Sequence, residues 1–156
     1  DSGELNGTRA IERICEQARQ FDFILVALGT NDLKIQYGPP RPAEVIAGIN
    51  TIVTIIKTGR AETALWLLTP PPMACPADEQ FAGAQDALVP VIDEFRRDGV
   101  SHGIPIIDVY SAIDKGRDLE SDGVHLNQSG RKRVATLVWS HLSPTVGPER
   151  TLKMQR

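Results

Sequence analysis

Cysteine is scarce in this chain, with Cys15 and Cys75 the only two among 156 residues. Two isolated thiols build neither a disulfide framework nor a zinc site, and Cys15 falls on the apolar side of a helical repeat, where an inert buried thiol is expected. No apolar run approaches the ~20 residues of a membrane span, and residues 1–20 lack the apolar centre of a signal peptide. The expectation is a soluble chain without a membrane span, and the cytoplasm is the favoured compartment. Clustered positive charge is missing too. The net charge is −3 and the pI is near 5.6, with lysines and arginines scattered along the sequence. That leaves no footprint for nucleic acid or an anionic membrane and suits a small neutral or polar ligand. Walker loops, dinucleotide glycine patterns and metal-ligand clusters are likewise missing, so no cofactor and no metal are expected.

What is present suffices for one globular domain, since 41% of the residues are hydrophobic and 24% charged. Ala10, Ile11, Ile14, Cys15 and Ala18 recur at helical spacing, and "FDFILVAL" then reads as a strand. Pro42 opens a helix whose stripe is Val45, Ile46, Ile49, Ile52, Val53 and Ile56, and Gly59 stops it. "TALWLL" reads as the second strand. A long loop begins at Pro70, a helix carries Leu88, Val91, Ile92 and Phe95, and "IPIIDV" reads as the third strand. The last helix begins near Asn127 or Gln128 and carries Val134, Leu137, Val138 and Leu142. The segment 144–156 reads as a polar, frayed tail, so the domain is expected over 1–143. Trp66 and Trp139 sit within apolar patterns and read as core. Strands that alternate with helices and are apolar on both faces imply βαβ units. Their consequence is a parallel sheet with helices on both sides.

Open α/β sheets bind ligands beyond the carboxyl ends of their strands. Three loops stand there: "GTND" at 29–32, "TPPPMACP" at 69–76, and the segment leading to "DGVHLNQSG" at 122–130. Asp122 and His125 are three residues apart on a loop that enters a helix. A tight turn can bring the carboxylate to one imidazole nitrogen and leave the other free as a general base. The alternative for this pair is a capped turn before the helix. Asn31 and Asp32 can likewise be turn formers that bond their own backbone. His102 and His141 have no carboxylate at comparable spacing and read as solvated. Lys34, Tyr37 and "GPPRP" at 38–42 form a stiff stretch beside Asn31, either a wall of a site or a plain connector.

These residues resemble a known family. "LGTND" is similar to the Gly-x-Asn-Asp block, and "DGVHLNQSG" to the Asp-x-x-His block, of the SGNH (GDSL-type) hydrolases, which are esterases and acyltransferases. The resemblance runs from about residue 20 to 142. It implies a flavodoxin-like three-layer α/β/α sandwich and a small-molecule ester substrate. It also implies Gly29 and Asn31 at the oxyanion site, His125 as base and Asp122 as the group that orients it.

The family's first block, which supplies a nucleophilic Ser after the first strand, is not visible, nor is the Gly of its second block. Ser2 in "DSGELNG" is the candidate serine near the start, with no strand before it. The favoured account is a chain that lacks the first strand or two of the fold, and residues 1–156 alone are then expected to show no appreciable turnover of a short p-nitrophenyl ester. Either way the resemblance leaves open whether these residues turn over substrate unaided. A catalytically inactive remnant that binds a small polar ligand or another chain is the alternative reading. The strand edge left unpaired in such a chain would invite a second copy, giving a homo-oligomer.

Overall fold

In the computed structural model, which describes residues 23–38, 41–59, 64–74 and 79–154, three parallel strands form one sheet in the order β1-β2-β3. β1 spans Phe23–Ala27, β2 Ala64–Leu68 and β3 Ile106–Ile107. Phe23 stands opposite Ala64 and Ala27 opposite Leu68, while Leu67 and Leu68 pair with Ile106 and Ile107. The helix expected over Ala10–Ala18, both cysteines except for their sequence positions, and Ser2 lie outside the described residues.

Alternation along each strand divides the apolar residues between two faces. Ile24, Val26, Leu65, Leu67 and Ile106 belong to one buried cluster. Phe23, Leu25, Trp66, Leu68 and Ile107 belong to the other. The first cluster is closed by α1 (Pro42–Gly59) and α2 (Ala84–His102), through Ile49, Ile52, Ile56, Leu88, Ile92 and Phe95. The second is closed by Val134, Leu137, Val138 and Leu142 of α4 (Gln128–Met154). The result is the three-layer α/β/α sandwich with a parallel sheet.

Helix α1 follows its sequence signals to the residue: Pro42 opens it and Gly59 ends it. Its stripe is well buried, with Ile56 at 0% exposure, and burial of each such side chain stabilises the fold by roughly 1.5–3 kcal/mol. Helix α2 tolerates Pro90 in its interior because that residue faces solvent, so the lost backbone donor leaves the core face intact. Phe95 on the opposite side is 1% exposed, and truncating it to Ala would cost about 3–5 kcal/mol.

Two elements depart from expectation. The run "IPIIDV" forms only the two-residue β3, after which Val109–Ala112 makes a single helical turn, α3. The Asp108 side chain caps that turn by accepting from the Ser111 amide at 3.1 Å, which turns the chain away from the sheet. At the other end, α4 does not stop at Pro144 but continues to Met154. Each proline in it forfeits one backbone donor without ending the helix. Among the described residues no helix is long and apolar enough to cross a membrane.

Candidate active site

The carboxyl end of β1 runs into Gly29, whose φ of +106° suits a residue without a Cβ. A Cβ there would stand 3.1 Å from Pro70 Cγ and 3.6 Å from Val45. Gly29 is therefore required where the turn packs against the β2 loop and α1. The chain then makes a short 3-10 turn over Asn31–Leu33 and pins it with buried Leu33. Asn31 itself is exposed. Its amide finds no hydrogen-bond partner among the described residues, and Thr30, the capping position, makes no side-chain cap either. The turn is held by backbone bonds, Leu33 N to Thr30 O and Lys34 N to Asn31 O, both at 3.2 Å. The Asn31 side chain is thus not used up in forming its own turn.

The second polar loop is built from within. Leu119 and Leu126 form an antiparallel bridge, and the Glu120 amide donates to the His125 carbonyl at 2.7 Å. Gly123, at φ +69°, makes the reversal. Oδ1 of Asp122 accepts from the amides of Val124 and His125, each at 2.9 Å, and Oδ2 lies 2.6 Å from Nδ1 of His125. The His125 contact, then the two amides, lower the Asp122 carboxyl to about 2. At neutral pH it is ionised and can only accept, so the imidazole proton sits on Nδ1. In the neutral ring of that tautomer Nε2 carries the lone pair, and the His125 side chain is 77% exposed. Such a nitrogen can take a proton from a bound nucleophile.

Beneath this loop lies a group that sequence reasoning missed. Asp118 is completely buried. It accepts from the Asp114 amide at 3.0 Å, from the Ser129 hydroxyl at 2.8 Å, and from Nε of Arg133 and Arg117 at 2.9 and 3.2 Å. The Asp114 amide, then Ser129 and Arg117, hold its carboxyl well below the usual carboxylate range, against the opposing effect of burial. Asn127 adds to the closure: its Nδ2 donates to the Arg117 and Leu119 carbonyls at 2.7 and 2.9 Å, and its Oδ1 accepts from the Gly130 amide at 3.0 Å, capping α4. Another missed network ties the strand ends together. Buried Thr69 donates to Asp108 at 3.3 Å and accepts from the Tyr110 amide at 2.9 Å, and Arg96 meets the other Asp108 oxygen at 2.8 Å.

The two loops meet. Asn31, Lys34, Pro71, Phe81, His125 and Arg131 all line one cleft of about 480 Å³. Of the residues expected at the site, the fold brings Asn31, Asp122 and His125 to one end of the sheet. Gly29 supports the turn from behind and is not part of the lining, and Ser2 is outside the described residues. His141 is exposed on α4, its Nδ1 2.9 Å from the Leu137 carbonyl.

Comparison with known proteins adds the following. A family model described as the GDSL-like Lipase/Acylhydrolase family matches residues 2–133. A carbohydrate acetylesterase from Sinorhizobium meliloti superposes with a TM-score of 0.81 at 18% identity, over 91% of this chain and 69% of that one. An aryl esterase from M. smegmatis gives a TM-score of 0.79 at 20% identity, over 90% and 69%. A lipase/acylhydrolase from Enterococcus faecalis gives 0.71 at 20%, over 90% and 71%. No curated protein matches by sequence. At these identities the solved structures speak to the fold alone.

Proposed function

Because the chain belongs to the GDSL-like lipase/acylhydrolase family, we propose that its cleft is an acyl-transfer site acting on esters of small molecules, lipids or carbohydrates. In this reading a serine hydroxyl attacks the ester carbonyl and passes its proton to Nε2 of His125. Asp122 holds the ring and its tautomer and faces the imidazolium that results. The Asn31 amide donates to the oxygen on which negative charge develops, where such a donor contributes ~3 kcal/mol to the transition state. Collapse expels the alcohol, which takes the proton back from Nε2, and water or a second alcohol then attacks the acyl group by the same route. Ser2 is the serine assigned to the attack, on sequence grounds alone.

One observation carries the reading. An amide with no described partner, on Asn31, and an imidazole whose Nε2 is left open, on His125, line the same cleft although they come from opposite ends of the sequence. A capped turn before a helix would explain Asp122, but it would not require the Asn31 amide to face the same space.

A serine-directed fluorophosphonate probe tests the proposal. Covalent labelling that mass spectrometry maps to Ser2, together with loss of p-nitrophenyl acetate turnover in Ser2→Ala, would support hydrolysis by these residues. A folded sample that takes no label at any serine would sink hydrolysis by these residues. The remaining reading would then be an inactive fold that binds a small polar ligand or another chain.

A further inference from the structure

The cleft collects positive charge in a protein whose net charge is −3. Lys34 and Arg131 both line it, one from the turn that carries Asn31 and the other from the first turns of α4. In the sequence they are nearly a hundred positions apart and form no visible patch. Only folding brings them to one cleft.

Lys34 is half-buried, and its ammonium stands 5.6 Å from the centroid of the Phe81 ring. Phe81 is itself 5% exposed, so the cation rests on a fixed ring face. Among the described residues no carboxylate pairs with Lys34. Its position relative to Asn31 is also set. Asn31 opens the 3-10 turn and Lys34 follows it as the extended capping residue. Both residues line the same cleft.

Arg131 is partly engaged. Its Nη1 donates to the Leu126 carbonyl at 2.6 Å and lies 3.7 Å from Glu120 Oε1. Asp122 is committed to the His125 ring and two amides, while exposed Asp32 and Glu79, beside the lining residues in sequence, pair with neither cation among the described residues. Among the described residues, then, no carboxylate pairs with Lys34, and Arg131 is only loosely held by Glu120. A neutral ester would leave that charge facing solvent.

We infer that the ester this cleft takes carries a carboxylate or similar anionic group, on its acyl or its alcohol portion, which Lys34 receives and Arg131 assists. The inference rests on the reading of the cleft as an acyl-transfer site and deepens it to a substrate class. The ammonium would steer the anion and fix the ester's orientation, leaving the carbonyl beside Asn31.

The test is a binding measurement, independent of turnover. Monomethyl succinate and the uncharged methyl butyrate are titrated onto the folded chain at low ionic strength, following the imidazole proton signals of His125, assigned with His125→Gln. The charged ester is expected to bind roughly threefold to tenfold more tightly, as a partly screened ion pair in a cleft allows. Lys34→Gln should bring the ratio close to one, Lys34→Arg should keep it, and ~0.5 M salt should erode it. The signals of His141 on α4 should not move. Equal binding of the two esters, or a preference that survives Lys34→Gln, overturns the inference. Failure of the hydrolase reading would show separately, as a charge preference in a chain that takes no fluorophosphonate.

Discussion

One carboxylate holds both the backbone and the ring of a single residue: Oδ1 of Asp122 accepts the His125 amide at 2.9 Å, and Oδ2 meets its Nδ1 at 2.6 Å. The two grips have different consequences on substitution. In Asp122→Asn the side-chain oxygen can still accept the amides, so the loop should hold and the melting temperature should change little. The new NH2 group, however, donates to Nδ1 and drives the proton to Nε2. Nitrogen-15 NMR of the ring should show that switch of tautomer, and ester turnover should fall by about three to four orders of magnitude. Parallel losses of stability and activity would instead identify Asp122 as a structural cap.

Asn31 separates cleanly from the fold. Its turn is closed by backbone bonds and by buried Leu33, so Asn31→Ala should leave thermal unfolding unchanged. Turnover of a short phenyl ester should drop by about 10²–10³-fold, mostly in kcat, since the amide acts on charge that is present only in the transition state. An unchanged kcat would remove Asn31 from the oxyanion site.

Two helical glycines should respond to alanine with opposite signs. Gly48 is exposed in α1, with nothing within 4 Å of a new Cβ, so Gly48→Ala should stabilise by about 0.5–1 kcal/mol. A Cβ on Gly130 would stand 2.2 Å from the Asp118 carbonyl oxygen. Gly130→Ala must push α4 off the 118–127 loop and should destabilise by about 1–3 kcal/mol. Denaturant titration of the two variants measures both.

Acid should loosen the molecule in a defined window. Asp122 is lowered to about 2 and Asp118 is lowered as well, against about 3.9 in an unfolded chain. Groups lowered in this way contribute stability that is fully present above the unfolded value and is lost as pH falls through the folded one. Stability should therefore be level above about pH 5 and decline from about pH 4 toward pH 2. In Asp122→Asn part of that slope should vanish, and an unchanged acid profile in this variant would contradict the assignment.

What the sequence revealed and what it hid follow a physical division. Strands β1 and β2 and helix α1 were legible because periodicity, Pro42 and Gly59 are local signals that the fold obeys. Asn31, Asp122 and His125 could be singled out because they sit in short blocks beside such signals, and the fold brings them to one end of the sheet. "IPIIDV" misled because an apolar run does not say where pairing ends, and that end is set by Asp108 capping α3. Pro144 misled because proline weakens a helix without always ending it. Asp118 gave no signal at all. Within "DKGRDLESDG" it reads as one more surface charge, and its burial depends on Ser129 and Arg133 arriving from α4. The same holds for the presence of Lys34 and Arg131 in one cleft.

The hairpin from Leu119 to Leu126 closes on itself, anchored by Asp118 below and Asn127 at its exit. The residues that must keep a fixed attitude toward one another, Asp122 and His125, thereby travel as a self-contained cassette. The opposite wall of the cleft comes from separate short turns around Lys34 and Phe81. On the proposed reading, changes there would retune which ester fits without disturbing the Asp122–His125 pair. The architecture separates what must stay constant from what is free to diversify.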